Sequence, residues 1–378
     1  MNNMKKVLIA CDSFKGSLSS KEICSIFEKT CVENKLDLSI KSVEVADGGE
    51  GTLSAVLSSG RFDKIDLQCN DPLFNSIETS YAIRGNVAFI ESAQASGLTL
   101  IDYKDGNGLI TSTFGTGEQI ADAIDMGANE IYIGLGGTAT NDCGVGALSA
   151  LGFSFIDERG NSVLPVGENL DKIKKIEFKG SESILNCKFV LVSDVDNPLV
   201  GKNGATLFYG KQKGIVGQSA DIMERKMQTF ADLLENYSKK PIRNLKGSGA
   251  AGGFGAGFIA LLNAEVVSGI ECILDLVNFD ELLSQVDAVV TGEGRLDEQS
   301  FHGKAVSGIC KRAEKYEIPI YIFAGSSAFS LDEIKNRNIK AVQTACDYAE
   351  SIEDSIRNAE KYAYKAAKVL LNKIVQTS

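Results

Sequence analysis

A short apolar run, followed by a glycine-rich polar loop and then by apolar residues at helical spacing, recurs along this chain. The fullest example begins with residues 130–134 and continues to Gly152. Its loop holds residues that permit unusual backbone dihedrals or cap helices: Gly136, Gly137, Thr138, Thr140, Asn141 and Asp142. Backbone N–H groups at a helix start attract anions, but an ordinary tight connection explains this one stretch equally well. The recurrence predicts an α/β fold with parallel strands.

Two further units of this kind lie near the start of the sequence. The run 5–10 is typical of a buried parallel strand, and the loop after it carries Asp12 and Lys15. Open α/β sheets place their ligands at the carboxyl ends of strands, so both are candidate site residues. After a second strand-like run, Asp47 and Glu50 lie among glycines before a helix. They could ligate a metal or bind substrate hydroxyls, although the helix dipole alone favours acids there.

Two aspartates follow the apolar run 188–193 directly. Asp194 and Asp196 can both face a cleft if the chain leaves extended geometry, and such oxygen-rich loops suit Mg²⁺. An Asx turn before Pro198 is the alternative, which we expect for one of the two and not for both. Three lysines downstream stay undecided between a phosphate contact and a solvated turn: Lys202, Lys211 and Lys213.

A literal G-x-G-x-x-G pattern lies within residues 247–257 and includes Gly249 and Gly252. This pattern is typical of dinucleotide sites when it follows a buried strand, but residues 241–246 do not form such a run. A closely packed helix start is therefore the favoured interpretation, with phosphate binding as the alternative.

The loop after the strand-like run 287–291 gathers charged residues among glycines. Gly292 and Glu293 open it, and three basic residues follow: Arg295, His302 and Lys304. The single histidine of the chain could be a plain turn residue. Two basic neighbours in a glycine-rich loop instead favour an anion contact.

The chain's 378 residues exceed what one core usually holds, so we expect two domains. The βαβ character of both chain ends predicts that they share one parallel sheet, with the middle of the chain inserted as a mixed α/β domain. We place the first domain at residues 1–70 plus 285–378 and the inserted domain at residues 71–284. The cleft between two such domains is the expected site.

Composition excludes several classes of function. A net charge of −11 argues against nucleic acid or an acidic membrane as a partner. Nine cysteines without a C-x-x-C pair, and one histidine, support neither a disulfide framework nor a structural zinc site. No signal peptide or membrane-spanning segment is expected, and free thiols indicate a reducing compartment, so we expect a cytoplasmic protein. The oligomeric state has no readable signature.

Six of these motifs, taken in order, resemble the class I glycerate kinase family of bacteria. They begin at Asp12, Ala46, Gly134, Asp194, Gly247 and Thr291, the last with His302-Gly-Lys. Three departures leave the charged residues intact: Cys11 replaces a frequent proline, Cys143 a common glycine, and Ser193 the usual cysteine. The resemblance implies a two-domain protein with a Rossmann-like part built from both chain ends. It also implies ATP-dependent phosphorylation of glycerate with Mg²⁺, D-glycerate and 2-phosphoglycerate being the favoured substrate and product.

The resemblance gives the candidate residues hypothetical roles. Asp194 would accept the proton of the attacking hydroxyl, Asp196 would hold Mg²⁺, and Lys15 and Arg295 would neutralise the phosphoryl group or the carboxylate. Residues assigned to the substrate are Asp12, Asp47, Glu50, Asn141 and Asp142. Residues assigned to ATP are Gly136, Gly137, Thr138, Gly249, Gly252, Gly292, Glu293, His302 and Lys304. The sequence contains no G-x-x-x-x-G-K-[ST] phosphate loop.

Two alternatives from other classes stay open. A nicotinamide-dependent oxidoreductase is suggested by the G-x-G-x-x-G pattern, and the missing strand before it counts against this function. A non-catalytic sensor of a sugar acid or nucleotide would usually carry a basic DNA-binding segment, which the sequence does not show. Which hydroxyl is phosphorylated, and which basic loops hold ATP, cannot be decided from the residues.

Overall fold

The chain forms two compact units, each of which is made of more than one segment of the sequence. A computed structural model describes residues 4–46, 48–102, 108–301, 304–329 and 338–377. Unit 1 comprises Met1–Asp47, Ser54–Arg61 and Gly269–Ser378. Unit 2 comprises Gly48–Leu53 and Phe62–Ser268.

The strands are short and most belong to two sheets. In chain order they are β1 Lys5–Cys11, β2 Leu38–Ser42, β3 Asp63–Asn70, β4 Ser76–Arg84, β5 Val87–Glu91, β6 Glu130–Gly134, β7 Phe153–Ile156, β8 Lys175–Phe178, β9 Lys188–Val192, β10 Glu265–Val267, β11 Ala288–Gly292, β12 Arg295–Leu296, β13 Ile320–Ala324, β14 Ser326–Ser327 and β15 Ile339–Thr344. The pairs β7–β8 and β12–β14 form separate two-stranded ladders.

The helices range from a single turn to about six turns. In chain order they are α1 Ser20–Glu33, α2 Thr52–Ser58, α3 Ala93–Ser96, α4 Phe114–Asp125, α5 Val145–Ala150, α6 Glu182–Asn186, α7 Ala205–Tyr209, α8 Gln218–Ser238, α9 Ala250–Leu262, α10 Gly269–Leu276, α11 Phe279–Leu283, α12 Ala305–Lys315, α13 Ile352–Arg357 and α14 Ala359–Gln376. Short 3-10 segments lie at Leu98–Leu100, Gly167–Lys172, Gly210–Lys213, Ile242–Asn244, Glu298–Phe301 and Cys346–Tyr348. Among the helices described, none has the length and apolar character needed to cross a membrane.

Unit 1 is built on a five-stranded parallel sheet in the order β15-β13-β11-β1-β2. Its three central strands, β13, β11 and β1, are buried along most of their length, as expected where helices cover both faces of a parallel sheet. Residues 7–10 of β1 are completely buried, and Val7 and Ile9 share a core with apolar residues of α1 and α14. The spacing of Ser19 and Glu22 predicts a capping box, and this box is present at the start of α1. Because its five strands are parallel, they all end at the same edge of the sheet, where the loops after them meet.

Unit 2 contains a six-stranded sheet in the order β10-β9-β6-β5-β4-β3. The four strands β10, β9, β6 and β5 are parallel, whereas β3 and β4 pair antiparallel at the edge. The Gly85-Asn86 pair predicts a hairpin, and a hairpin joins β4 to β5 at these residues. Strand β3, which the sequence-based boundary at residue 70 assigns to the first domain, pairs with β4 along all eight of its residues.

The apolar spacing of residues 352–374 predicts one long closing helix, but the chain forms two helices there, so this prediction was wrong in detail. The chain leaves helical geometry at Asn358, between α13 and α14. Apolar spacing continues across the break, which is why the sequence pattern did not reveal it. Ser351 caps α13 through the amide of Asp354, and the hydroxyl of Tyr362 donates to the Asp354 carboxylate at 2.6 Å.

Candidate functional site

The loops at the carboxyl edge of the unit 1 sheet are joined to each other by backbone hydrogen bonds. The amide of Asp12, after β1, donates to the carbonyl of Gly292 at 2.9 Å. The amide of Gly325, after β13, donates to Glu293 at 3.3 Å, and Cys346 donates to Gly325 at 3.0 Å. Loops from β1, β11, β13 and β15 therefore form one continuous floor.

A cavity of about 620 Å³ opens above this floor. Its walls come from the segments 12–18, 293–297, 325–328 and 345–346, together with Lys304 and residues 352–359. Every lining segment belongs to unit 1. Five of the predicted site residues lie around it: Asp12, Lys15, Glu293, Arg295 and Lys304. His302 lies outside the described residues.

The loop that carries Lys15 is anchored on both sides. The amide of Phe14 donates to the carbonyl of Leu18 at 2.7 Å, and Gly16 between them has a φ of 77°, which favours glycine. The Phe14 ring packs on the Phe323 ring of β13 at a centroid distance of 5.0 Å. Lys15 is exposed on this anchored loop and borders the cavity.

Both signs of charge occur around the cavity. The Arg295 side chain is 75% exposed and lies 4.0 Å from the Asp297 carboxylate. The ammonium of Lys304 lies 3.9 Å from the Glu293 carboxylate, whose side chain is only 12% exposed. These distances exceed a hydrogen bond, so both pairs are loose and both cations can turn towards an anionic ligand.

Gly292 has a packing role in addition to any ligand role. A methyl group on its Cα would lie 1.5 Å from the carbonyl oxygen of Phe323 on the neighbouring strand. A methyl group at Gly325 would lie 2.4 Å from the carbonyl oxygen of Gly294. Glycine at both positions allows the strand ends, and thus the cavity floor, to approach closely.

In unit 2, the loop that links β6 to α5 packs against the segment before α2. A methyl group at Gly136 would lie 2.3 Å from the Cα of Gly49, and Gly137 has a φ of 75°. Glu50, in the same segment, is exposed, whereas Asp47 lies outside the described residues. The structure thus brings Gly136 and the segment that carries Glu50 into one region of unit 2.

Asn141 and Asp142 are completely buried in this loop. Asp142 accepts from the amide and hydroxyl of Thr113 at 2.9 and 2.8 Å, and from the amides of Gly144 and Gly146 at 3.1 Å each. Burial raises the pKa of the Asp142 carboxyl, and these hydrogen bonds act in the opposite direction. The side-chain amide of Asn141 donates to the Thr206 hydroxyl at 3.0 Å. These contacts hold the loop to its neighbours.

Sequence reasoning left Lys213 undecided, and the structure places it in the interior. Its side chain is 2% exposed, and its ammonium donates to the carbonyl of Thr140 at 2.7 Å and lies 3.4 Å from the Thr138 hydroxyl. Burial lowers the pKa of Lys213 to about 8, and the negative charge of Asp142 opposes this shift. Lys202 and Lys211, by contrast, are exposed. No local pattern distinguishes the three lysines.

Glu91, at the end of β5, is a second residue that sequence reasoning missed. It is 1% exposed and accepts from the amides of Gly51 and Leu53 at 3.2 and 2.8 Å. These two amides lie on either side of Thr52, where α2 begins, so Glu91 fixes the segment that carries Glu50. Burial raises the pKa of Glu91. The contact is distant in sequence, and no short motif could have revealed it.

The G-x-G-x-x-G pattern packs against protein. A methyl group at Gly249 would lie 2.2 Å from the carbonyl oxygen of Pro198. At Gly252, where φ is 68°, it would lie 2.1 Å from the carbonyl oxygen of Thr140. The two glycines therefore hold the start of α9 against the loop after β9 and the loop before α5. This agrees with the closely packed helix start favoured from the sequence.

Asp194 and Asp196 lie just after the end of β9, and both are exposed to solvent. The Ser268 hydroxyl donates to Asp194 at 2.9 Å, and Asp196 pairs with Lys246 at 2.9 Å with both side chains largely exposed. Such a surface pair is weak and leaves the carboxylate accessible. Within the described ranges, no group of three or more acidic, histidine or cysteine side chains could hold a metal ion. These aspartates suit Mg²⁺, which needs only one or two carboxylates when phosphate and water complete its shell.

Comparison with known proteins identifies the family. Residues 7–375 match the model of the "Glycerate kinase family". The chain is 36% identical to "Glycerate kinase" of Bacillus subtilis, over 96% of each chain, and 37% identical to "Glycerate 2-kinase" of Escherichia coli K12, over 94% of each. A crystal structure of a "putative glycerate kinase 2" from Salmonella typhimurium LT2 is 33% identical and covers 98% of each chain with a TM-score of 0.83. The chain therefore belongs to the glycerate kinase family.

Proposed function

We propose that this protein transfers the γ-phosphoryl group of ATP to the 2-hydroxyl of D-glycerate, giving 2-phosphoglycerate and ADP. The observation that carries the proposal is the family match, which runs from residue 7 to residue 375 and so includes every candidate site residue. The name "Glycerate 2-kinase" of the Escherichia coli relative supports the choice of hydroxyl.

Unit 1 supplies positive charge in this proposal. Phosphoryl transfer depends mainly on positioning and on neutralising charge at the transferring group. Lys15, Arg295 and Lys304 line one cavity, and none of them is held by a short ion pair among the described contacts. They bind phosphate oxygens and stabilise the charge that develops as the bond between the β- and γ-phosphates breaks.

The proposed base is Asp194. Asp194 accepts the proton of the glycerate hydroxyl as that oxygen attacks the γ-phosphorus, and the Ser268 hydroxyl orients the carboxylate through its 2.9 Å hydrogen bond. Asp196 would hold Mg²⁺, which would supply neutralisation of phosphate charge. Asn141 and Asp142 act indirectly, because their hydrogen bonds fix the loop that also carries Thr138.

The test is ADP release by the purified protein with ATP and Mg²⁺, measured separately with D-glycerate, L-glycerate, glycerol and lactate. We expect turnover with D-glycerate, because the reaction needs both the carboxylate and the correctly placed 2-hydroxyl. Glycerol lacks the carboxylate and is the control for that group. Lactate keeps the carboxylate and the 2-hydroxyl, so it tests whether the 3-hydroxyl is needed as well. Absence of ADP release with both glycerate enantiomers from well-folded protein would contradict the proposal.

A further inference from the structure

The unit 1 cavity is large for a three-carbon acid. Its volume of about 620 Å³ falls within the range of roughly 300–1,000 Å³ that is typical of sites for drug-sized ligands. Glycerate would fill a small part of it. A nucleoside polyphosphate is of the right size class.

The walls of this cavity differ in chemistry. The segments after β1 and β11, with Lys304, contribute all of its charged side chains. The segment 345–359 contributes only uncharged side chains, among them Cys346, Ile352 and Ile356. A ligand that fits must therefore have a charged part and an apolar part. Glycerate has no apolar part, whereas a nucleotide has a flat base in addition to its phosphates.

Two isoleucines on α13 are largely exposed, although apolar side chains of this size favour burial. Ile352 is 62% exposed and Ile356 is 52% exposed. They are four residues apart, so they lie on one face of the helix, and both border the cavity. Adjacent exposed apolar side chains at the wall of a cavity mark a surface that a ligand covers.

We propose that the unit 1 cavity is the nucleotide site, with the base against Ile352, Ile356 and Cys346 and the phosphates towards Lys15, Arg295 and Lys304. This inference rests on the proposed function and deepens it, because it assigns the basic loops of unit 1 to ATP. Glycerate is then recognised by residues outside this cavity.

Cys346 provides a direct reporter of occupancy. It is half-buried at the cavity wall, whereas the other eight cysteines, all within the described residues, are buried. N-ethylmaleimide should therefore modify Cys346 first, and peptide mass spectrometry gives the rate at this site. We expect ADP, and AMP more weakly, to slow the modification at least about fivefold near saturation, because the bound base covers the thiol. Glycerate alone should leave the rate unchanged.

A variant pair tests the base contact independently. Ile356→Asn replaces an apolar side chain at the cavity with a polar one. Val32→Asn also replaces a β-branched apolar side chain with asparagine, but at a 76% exposed position of unit 1 away from the cavity. We expect Ile356→Asn to raise the KM for ATP about tenfold, to leave the KM for glycerate within about twofold, and to weaken the protection of Cys346 by ADP. Val32→Asn should change none of these. Thermal unfolding of both variants confirms that they are folded.

The outcomes separate this inference from the proposed function. Phosphorylation of glycerate without protection of Cys346 by ADP, and with an unchanged KM for ATP in Ile356→Asn, would overturn the inference and leave the function intact. Protection by glycerate in the absence of nucleotide would also overturn it. Protection by ADP in a protein that phosphorylates neither glycerate enantiomer would support the nucleotide site and refute the proposed function.

Discussion

The buried ammonium of Lys213 gives the sharpest quantitative prediction. Its pKa is about 8 in the folded protein, against an ordinary value of 10.5. One pKa unit corresponds to about 1.4 kcal/mol. At pH values where Lys213 is charged in both the folded and the unfolded chain, its burial therefore lowers the free energy of unfolding by about 3 kcal/mol. The penalty is fully present below pH 8, decreases as pH rises from about 8 towards 10.5, and vanishes above that range, because both states are then neutral.

The substitution Lys213→Met removes this titration. At pH 7 the variant gains about 3 kcal/mol from the absent charge and loses about 1–3 kcal/mol because the Thr140 carbonyl loses its donor. At pH 10 the gain falls to about 1 kcal/mol, whereas the loss is unchanged. The free energy of unfolding of the variant minus that of the wild type should therefore decrease by about 2.5 kcal/mol between pH 7 and pH 10. This difference does not depend on the packing quality of methionine.

Urea unfolding at the two pH values measures the effect, followed by far-UV circular dichroism because the chain has no tryptophan. Lys211→Met is the matched control, since Lys211 lies in the same Gly210–Lys213 segment but is exposed. Its difference from the wild type should change by less than about 0.5 kcal/mol over the same range. A pH-independent difference for Lys213→Met would show that Lys213 titrates near its ordinary value and would refute the reasoning.

Two other substitutions test the packing of unit 2 and the proposed base. Gly252→Ala should destabilise the protein by more than about 3 kcal/mol, because its methyl group would meet the Thr140 carbonyl at 2.1 Å with φ at 68°. Gly60→Ala, with φ at 66° and open space around it, should lose only about 1 kcal/mol, and equal losses in urea unfolding would contradict this account. Asp194→Asn should lower kcat by about a hundredfold or more with little change in the KM for glycerate. Near-normal turnover in the folded variant would remove Asp194 as the base.

The sequence predicted best those features that depend on local patterns. Buried parallel strands are apolar at almost every position, so the runs that form β1 and β9 are visible in the sequence. The Ser19 capping box is likewise a short-range pattern, and it is present. The polar loops after β1 and β11 follow from the rule that parallel strands end at one edge, and they line one cavity.

Features that depend on contacts distant in sequence could not be predicted. Glu91, at the end of β5, and the amide of Leu53, in α2, are 38 residues apart in sequence and meet only in the folded chain. The burial of Lys213 beneath Thr138 and Thr140 is decided by the path of the β6–α5 loop, which the composition of Gly210–Lys213 does not determine. The G-x-G-x-x-G pattern shows the same limit, because glycine permits close approach both to a phosphate and to another backbone.

The most direct test of the proposed function is the phosphorus NMR spectrum of the product formed from D-glycerate, ATP and Mg²⁺. Phosphorylation at the 2-hydroxyl places the phosphate beside one carbon-bound proton and gives a doublet. Phosphorylation at the 3-hydroxyl places it beside a methylene group and gives a triplet. We predict a doublet that grows in step with ADP. A triplet would contradict the choice of hydroxyl, and the absence of any new phosphate ester from folded protein would contradict the kinase activity itself.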